Sequence, residues 1–161
     1  MRAPPFLNYP LVPEGLNEIK QVFGAFTFVE HSNALITPDR RWVKDCITRI
    51  EQVPILNEPI VCHQKIMRPL LNVLAEVLGA NLAPAIRTCE GCYWPRYKMY
   101  DPNRGLSLHS WGIAIDLNAS TNMPGTQGDM DRRIVDIFAR HGFYWGGNFG
   151  DPMHFQYAHG Y

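Results

Sequence analysis

Two short segments in the last third of the chain hold the residues whose types and spacing could do chemistry. They are LSLHSWGIAIDLN, from Leu106 to Asn118, and GDPMHFQY, from Gly150 to Tyr157. Between them they offer two histidines, His109 and His154, and two acids, Asp116 and Asp151. Three ligands and a spare carboxylate suit hydrolysis at a zinc ion. A structural zinc site is normally closed by four protein ligands, whereas a catalytic one keeps three and leaves the fourth position to water. His109, Asp116 and His154 are the candidate ligands, and Asp151 is the candidate base for that water.

The elements that must position them read as strands. After Gly112, the alternation puts Ile113, Ile115 and Leu117 on one face and Ala114, Asp116 and Asn118 on the other. Met153, Phe155 and Tyr157 alternate in the same way with His154 and Gln156. Two such strands side by side would bring Asp116 and His154 together, with His109 folding back from the loop or strand entry before Gly112. The spacing is not helical, so the H-E-x-x-H arrangement of two histidines on one helix face is absent.

These residues resemble the zinc D-alanyl-D-alanine carboxypeptidases and L-alanyl-D-glutamate endopeptidases, which include phage endolysin domains and the vancomycin-resistance D,D-peptidases. The family pattern S-x-H-x6-D followed by [DE]-x-x-H is matched by Ser107, His109 and Asp116, then by Asp151 and His154. Small phage and bacterial members also carry an H-x-W-G-x-A-x-D-x-N stretch and an H-G-F-x-W-G-G stretch. Here these read His109, Trp111, Gly112, Ala114, Asp116 and Asn118, then His141, Gly142, Phe143, Trp145, Gly146 and Gly147. The resemblance covers roughly Gly91 to Tyr157. It implies one zinc ion held by His109, Asp116 and His154, with Asp151 as general base, in an α+β fold whose small antiparallel sheet carries the site and has helices packed on it. It also implies a peptidoglycan stem peptide as substrate, cut either between L-alanine and D-glutamate or at terminal D-alanyl-D-alanine. The alternative is a virion-associated or structural zinc domain with a binding role.

Similar sequences carry a G-x-Y-x-x-R-like stretch ahead of the metal motif, to which Gly91, Tyr93 and Arg96 correspond. The fixed fork of donors on an arginine suits a substrate carboxylate or a polarised carbonyl. Arg96 is therefore the candidate catalytic cation, with Arg87 and Arg104 as competitors. Ser107 is expected to hydrogen-bond near the metal, and Asn118 or Gln156 to orient a ligand, with capping or turn bonding as the plainer role for each. Cys89 and Cys92 form a C-x-x-C, but no second pair exists, so free thiols are the default for these two and for Cys46 and Cys62. His141 ends a helix and is read as interacting with its C-terminus rather than as a ligand.

Further back, GLNEIKQVFG at 15–24 reads as a short amphipathic helix with Leu16, Ile19, Val22 and Phe23 inward. Thr37 and Pro38 read as N-cap and first residue of a helix through Trp42, Val43, Cys46, Ile47 and Ile50, ending before Pro54. The segment 63–78 carries the helical stripe Ile66, Leu70, Leu71, Leu74, Val77 and Leu78, with Gly79 as its stop and Pro69 bending or beginning it. A loop over 118–128 precedes a helix from about Asp129 to Arg140, with Asp131 in its first turn and Ile134, Val135, Ile137 and Phe138 inward. The expected organisation is one domain over 1–161, with 1–85 mainly helical and 86–161 forming the metal-binding sheet part.

Length and composition fit this reading. The chain has 161 residues, 46% of them hydrophobic, which suits one globular domain. Lysine plus arginine number 15, and so do aspartate plus glutamate, so the balance does not favour nucleic acid or an acidic membrane surface. MRAPPFLNYPLVPEG has one basic residue and no continuous apolar run, which is neither a signal peptide nor a membrane span. The expectation is synthesis in the cytoplasm and action on the cell wall after phage lysis or as a virion component.

Overall fold

The computed structural model describes residues 8–161, so the reading of the N-terminal stretch lies outside the described residues over 1–7. The fold is α+β. Helix α1 (Gly15–Phe23) buries Ile19 and Phe23 and half-buries Leu16 and Val22, following the predicted stripe. The first part of the chain, expected to be mainly helical, also holds two small antiparallel sheets. These are β1 (Phe28–Glu30) with β2 (Ile36–Pro38), and β3 (Ile47–Ile50) with β4 (Ile60–His63).

The second predicted helix needs correction at both ends. Thr37 and Pro38 belong to β2, and the cap of α2 (Arg40–Cys46) is Asp39, whose carboxylate accepts the Trp42 amide at 2.9 Å. The helix stops after seven residues because Ile47, Thr48 and Ile50 are β-branched and pair with Ile60–His63 as β3. Their recurrence after Cys46 imitates helical spacing, yet their burial comes from strand pairing.

Helix α3 (Gln64–Gly79) follows without a break and buries Ile66, Met67, Leu70, Val73, Leu74 and Val77. Pro69 lies inside it, and Gly79 is its last residue rather than its stop; Asn81 takes the left-handed conformation beyond it, at φ 58°. Helix α4 (Arg132–Arg140) starts later than predicted, because Asp131 is its N-cap and accepts the Arg133 amide at 2.9 Å. Ile134, Ile137 and Phe138 face inward as the stripe predicts, with Val135 half-buried.

The sheet that matters for function has four antiparallel strands in the order β5 (Cys89–Gly91), β6 (Ala114–Leu117), β8 (His154–Gln156) and β7 (Tyr144–Trp145). One core, drawing on residues from Ile19 to Ala158, packs the helices against it. Strand β6 is buried along its whole length. Its entry depends on Gly112, at φ 65°, where an added Cβ would stand 2.8 Å from the His63 amide nitrogen. That amide donates to the Gly112 carbonyl at 2.8 Å, so the end of β4 and the start of β6 touch through backbone alone. Among the described residues no helix is long and apolar enough to cross a membrane.

His63 is a structural group. Its Nδ1 accepts the Lys65 amide at 3.1 Å as the N-cap of α3, so the proton sits on Nε2, which donates to the Phe23 carbonyl at 3.1 Å. Burial drives its pKa down from 6.5 to about 4, against the opposing pull of the Phe23 carbonyl. The unfolded chain therefore binds a proton at a pH where the folded one does not. Stability is lost as the pH falls from about 6.5 towards 4, by on the order of 3 kcal/mol over the full drop. We expect His63→Asn, which keeps a capping acceptor and does not titrate, to flatten the pH dependence of unfolding free energy in that window. Denaturant titrations at a series of pH values measure it, and an unchanged slope would assign the acid sensitivity elsewhere.

Candidate metal centre and its cleft

His109 sits in a 3-10 turn, Leu108–Ser110, which Ser107 caps by accepting the His109 amide at 3.3 Å. Its Nδ1 lies 2.7 Å from the Cys92 carbonyl. A carbonyl only accepts, so in the neutral ring the proton is on Nδ1 and the lone pair on Nε2. That Nε2 faces Asp116 Oδ2 at 3.2 Å and makes no hydrogen bond.

His154 is fixed in the opposite tautomer. The Gln156 side-chain amide donates to the Ala158 carbonyl at 3.0 Å, which turns its Oε1 towards His154 Nε2 at 3.2 Å. The proton is then on Nε2, and the Nδ1 lone pair faces Asp116 Oδ1 at 2.9 Å. Asp116 and His154 are directly paired across β6 and β8, as the alternation predicts.

Each of the three residues is buried, at 8% exposure or less, and their ligand atoms lie within 4.8 Å of one another. Burial pushes the Asp116 carboxyl up, while protonation of the two imidazoles beside it pulls it down more strongly, below the ordinary carboxylate range. Acceptors facing one another at these distances repel unless positive charge stands between them. Two imidazole nitrogens and one carboxylate oxygen, converging with lone pairs free, are a donor set that fits a divalent metal such as zinc.

Asp151 is delivered by the turn that leads into β8. Its amide donates to the Gly146 carbonyl at 2.9 Å, and its carbonyl accepts the His154 amide at 3.1 Å, so one loop places acid and imidazole together. Gly146 makes this possible: a Cβ there would come 2.4 Å from the Asp151 carbonyl oxygen and 2.9 Å from His154 Cβ. Asp151 Oδ1 is buried without a hydrogen-bond partner, and burial raises its carboxyl above the usual range, against the lowering influence of His154. His109, Asp116, Asp151 and His154 all line a cleft of about 590 Å³, to which Arg96, Lys98 and Arg104 also contribute.

The remaining residues named from sequence divide clearly. Arg96 reaches the cleft, with its guanidinium 3.1 Å from the Tyr97 carbonyl and stacked 5.0 Å over the Tyr100 ring, and its charge is felt at Asp151. Arg104 also reaches it, but is paired with Asp101 at 3.3 Å. Arg87 does not; it pairs with Asp129 at 3.0 Å and bonds Thr121. Asn118, at φ 54°, turns away from the ligands to accept the Arg87 and Thr88 amides and donate to the Ala85 carbonyl. Gln156, not Asn118, contacts a ligand.

His141 contacts none of them, being held between Tyr9 and Glu76 at 2.7 Å each. All four cysteines are free thiols, with Cys92 buried and Cys89 half-buried, and burial pushes the Cys89 thiol up to about 11. Sequence reasoning missed Lys98, Tyr161 and the Cys92 carbonyl. No spacing rule marks a backbone carbonyl or a rim side chain supplied by an irregular turn. That turn contains Met99 and Tyr100 at φ 52° and 56°, two consecutive non-glycine residues in the left-handed region, at a cost of order 1 kcal/mol or more each.

Residues 101–157 match the family model described as D-alanyl-D-alanine carboxypeptidase. No curated protein and no solved structure matches the chain. The match spans just over a third of the sequence and contains His109, Asp116, Asp151 and His154, while Arg96 and Lys98 precede it. Residues 101–157 are thus similar to the D-alanyl-D-alanine carboxypeptidase family, which supports an enzyme of metallopeptidase type, and the buried His109, Asp116 and His154 group within them could hold a metal.

Proposed function

We propose that this chain is a zinc-dependent peptidase that hydrolyses amide bonds in peptidoglycan stem peptides. The observation that carries the reading is the convergence of three lone-pair donors within 4.8 Å, beside a buried and unpartnered carboxylate oxygen, in one open cleft. The family description favours the terminal D-alanyl-D-alanine bond over the L-alanyl-D-glutamate bond.

His109 would hold the ion through Nε2, His154 through Nδ1, and Asp116 through its carboxylate. A bound zinc supplies Lewis acidity, polarising a carbonyl and lowering the pKa of water towards neutrality. Asp151 takes the proton that water loses as its oxygen adds to the amide carbon, and returns it to the departing amine nitrogen as the C–N bond breaks. Burial raises its pKa, which makes its carboxylate a stronger base than an exposed aspartate. Arg96, whose charge reaches Asp151, is placed to stabilise the oxyanion.

Removing one member at a time separates these roles. Asp151→Asn is expected to lower kcat/KM on a stem peptide by at least about a hundredfold while leaving zinc content unchanged. A carboxyl whose pKa rises on folding subtracts stability at neutral pH, so the same variant without metal should melt no lower than the parent. Full activity in Asp151→Asn would remove the assigned base.

Gln156→Leu is expected to leave the fold intact but weaken zinc affinity about 10- to 100-fold, because His154 loses the acceptor that fixes its tautomer. Competition with a chromophoric chelator measures this, and an affinity equal to the parent's would mean that Gln156 does not orient the ligand. Mass spectrometry of digested peptidoglycan identifies the bond. Free D-alanine supports the carboxypeptidase reading and a new D-glutamate amino terminus the endopeptidase one, while intact peptide with zinc-replete protein rejects both.

A further inference from the structure

Three cations line the cleft, and they are not equivalent. Arg104 is neutralised by Asp101, and Arg96, which bonds the Tyr97 carbonyl and lies over the Tyr100 ring, is in the reading above assigned to the oxyanion. Lys98 has neither an ion pair nor a hydrogen-bond acceptor for its ammonium among the described residues. Its Nζ instead rests 3.4 Å from the centroid of the Tyr161 ring.

That ring is itself fixed. The Tyr161 ring meets Trp111 edge-on at 6.4 Å, and its hydroxyl lies beside the backbone of Leu106. Lys98 is thus a half-buried point charge, held over an aromatic plate at the cleft wall with its three donors unspent. Burial has begun to penalise its charge, lowering its pKa. The acids in the same cleft do not answer it: Asp116 is committed to the two histidines, and Asp151 lies within reach of His154.

An ammonium held in this way is prepared for an anion brought by the ligand. We infer that Lys98, seated on Tyr161, is a specificity-determining residue that binds a free carboxylate on the peptide substrate. The inference rests on the peptidase reading above and narrows its substrate class. Two groups in a stem peptide present this chemistry beside a scissile amide: the terminal carboxylate of a D-alanyl-D-alanine end, and the α-carboxylate of a γ-linked D-glutamate. A neutral amide in either position offers no charge to Lys98.

The test uses zinc-loaded protein and four synthetic stem peptides: one ending in D-alanyl-D-alanine and its C-terminal amide, and one with an L-alanyl-γ-D-glutamyl bond and its α-amide. Hydrolysis is followed with the parent. Binding is measured by calorimetry in Asp151→Asn, with and without Lys98→Met, which keeps the aliphatic stem, and with Lys98→Arg, which keeps the charge.

We expect one acid to bind about 10- to 100-fold more tightly than its amide, a preference lost in Lys98→Met and retained in Lys98→Arg, with zinc content and melting temperature unchanged. The acid that shows it identifies the carboxylate. Equal binding of each acid and its amide, or a preference that survives Lys98→Met, overturns the inference. Acid-selective, Lys98-dependent binding without hydrolysis by the parent would uphold Lys98 and reject the peptidase reading.

Discussion

A carboxylate buried between two imidazoles whose lone pairs point at it is the constraint on which the site depends. Asp116 cannot sit between His109 Nε2 at 3.2 Å and His154 Nδ1 at 2.9 Å without positive charge among them. Placing such a group out of water costs several kcal/mol before any compensation. The surrounding chain must therefore over-determine the geometry, and it does so with backbone wherever possible. The Cys92 carbonyl fixes one ring, the Ala158 carbonyl fixes the other through Gln156, and the β6–β8 register pairs Asp116 with His154. A slip of one residue in that register would turn the fully buried Phe155 side chain towards Asp116 and send His154 into the core.

The same logic explains why the acid comes from a loop. A base that accepts and returns a proton works best with its charge poorly compensated, and a strand interior would have demanded partners for it. The turn through Gly146 and Gly150 brings Asp151 close to His154 by backbone hydrogen bonds alone, leaving Oδ1 without a partner. Two candidate ligands on paired strands, the third on a capped 3-10 turn, and the candidate base on a glycine turn divide rigidity from reactivity.

Strand alternation made the centre legible from sequence. Period-two spacing put Asp116 and His154 opposite the large apolar residues, and antiparallel pairing did the rest. Gln156 shares the His154 face by the same rule, so its role was within reach of the pattern. The helices α1, α3 and α4 were legible because each has an uninterrupted apolar stripe. The stretch after Cys46 was not, because Ile47 and Ile50 satisfy helical spacing while β-branching and the partner strand at 60–63 decide the outcome. Lys98 was illegible for another reason: its setting comes from Tyr161, 63 residues away, and from the lack of a paired acid among the described residues.

That dependence extends to the first part of the chain, which carries none of the ligands yet shapes the cleft wall. Leu35 bridges Arg96, the Ile36 amide donates to the Pro95 carbonyl at 3.2 Å, the Tyr97 amide donates to Ala34, and the Tyr97 hydroxyl bonds Glu30. Ala34, Ile36 and Tyr97 form a small apolar cluster of their own beside the main core. Arg96 and Lys98 thus lie on either side of a residue clamped by the β1–β2 hairpin, while Ser107, whose amide donates to the Arg96 carbonyl at 2.9 Å, ties the same segment to the turn bearing His109. The wall and this turn are closely tied: the Trp94 amide donates to the His109 carbonyl at 3.0 Å, and the Ser110 hydroxyl donates to the Arg96 carbonyl at 2.9 Å and accepts the Arg96 amide at 3.0 Å. The candidate ligands follow patterns local in sequence, whereas the rim is braced by the distant β1–β2 hairpin, which is why the ligand set reads from sequence and the rim does not.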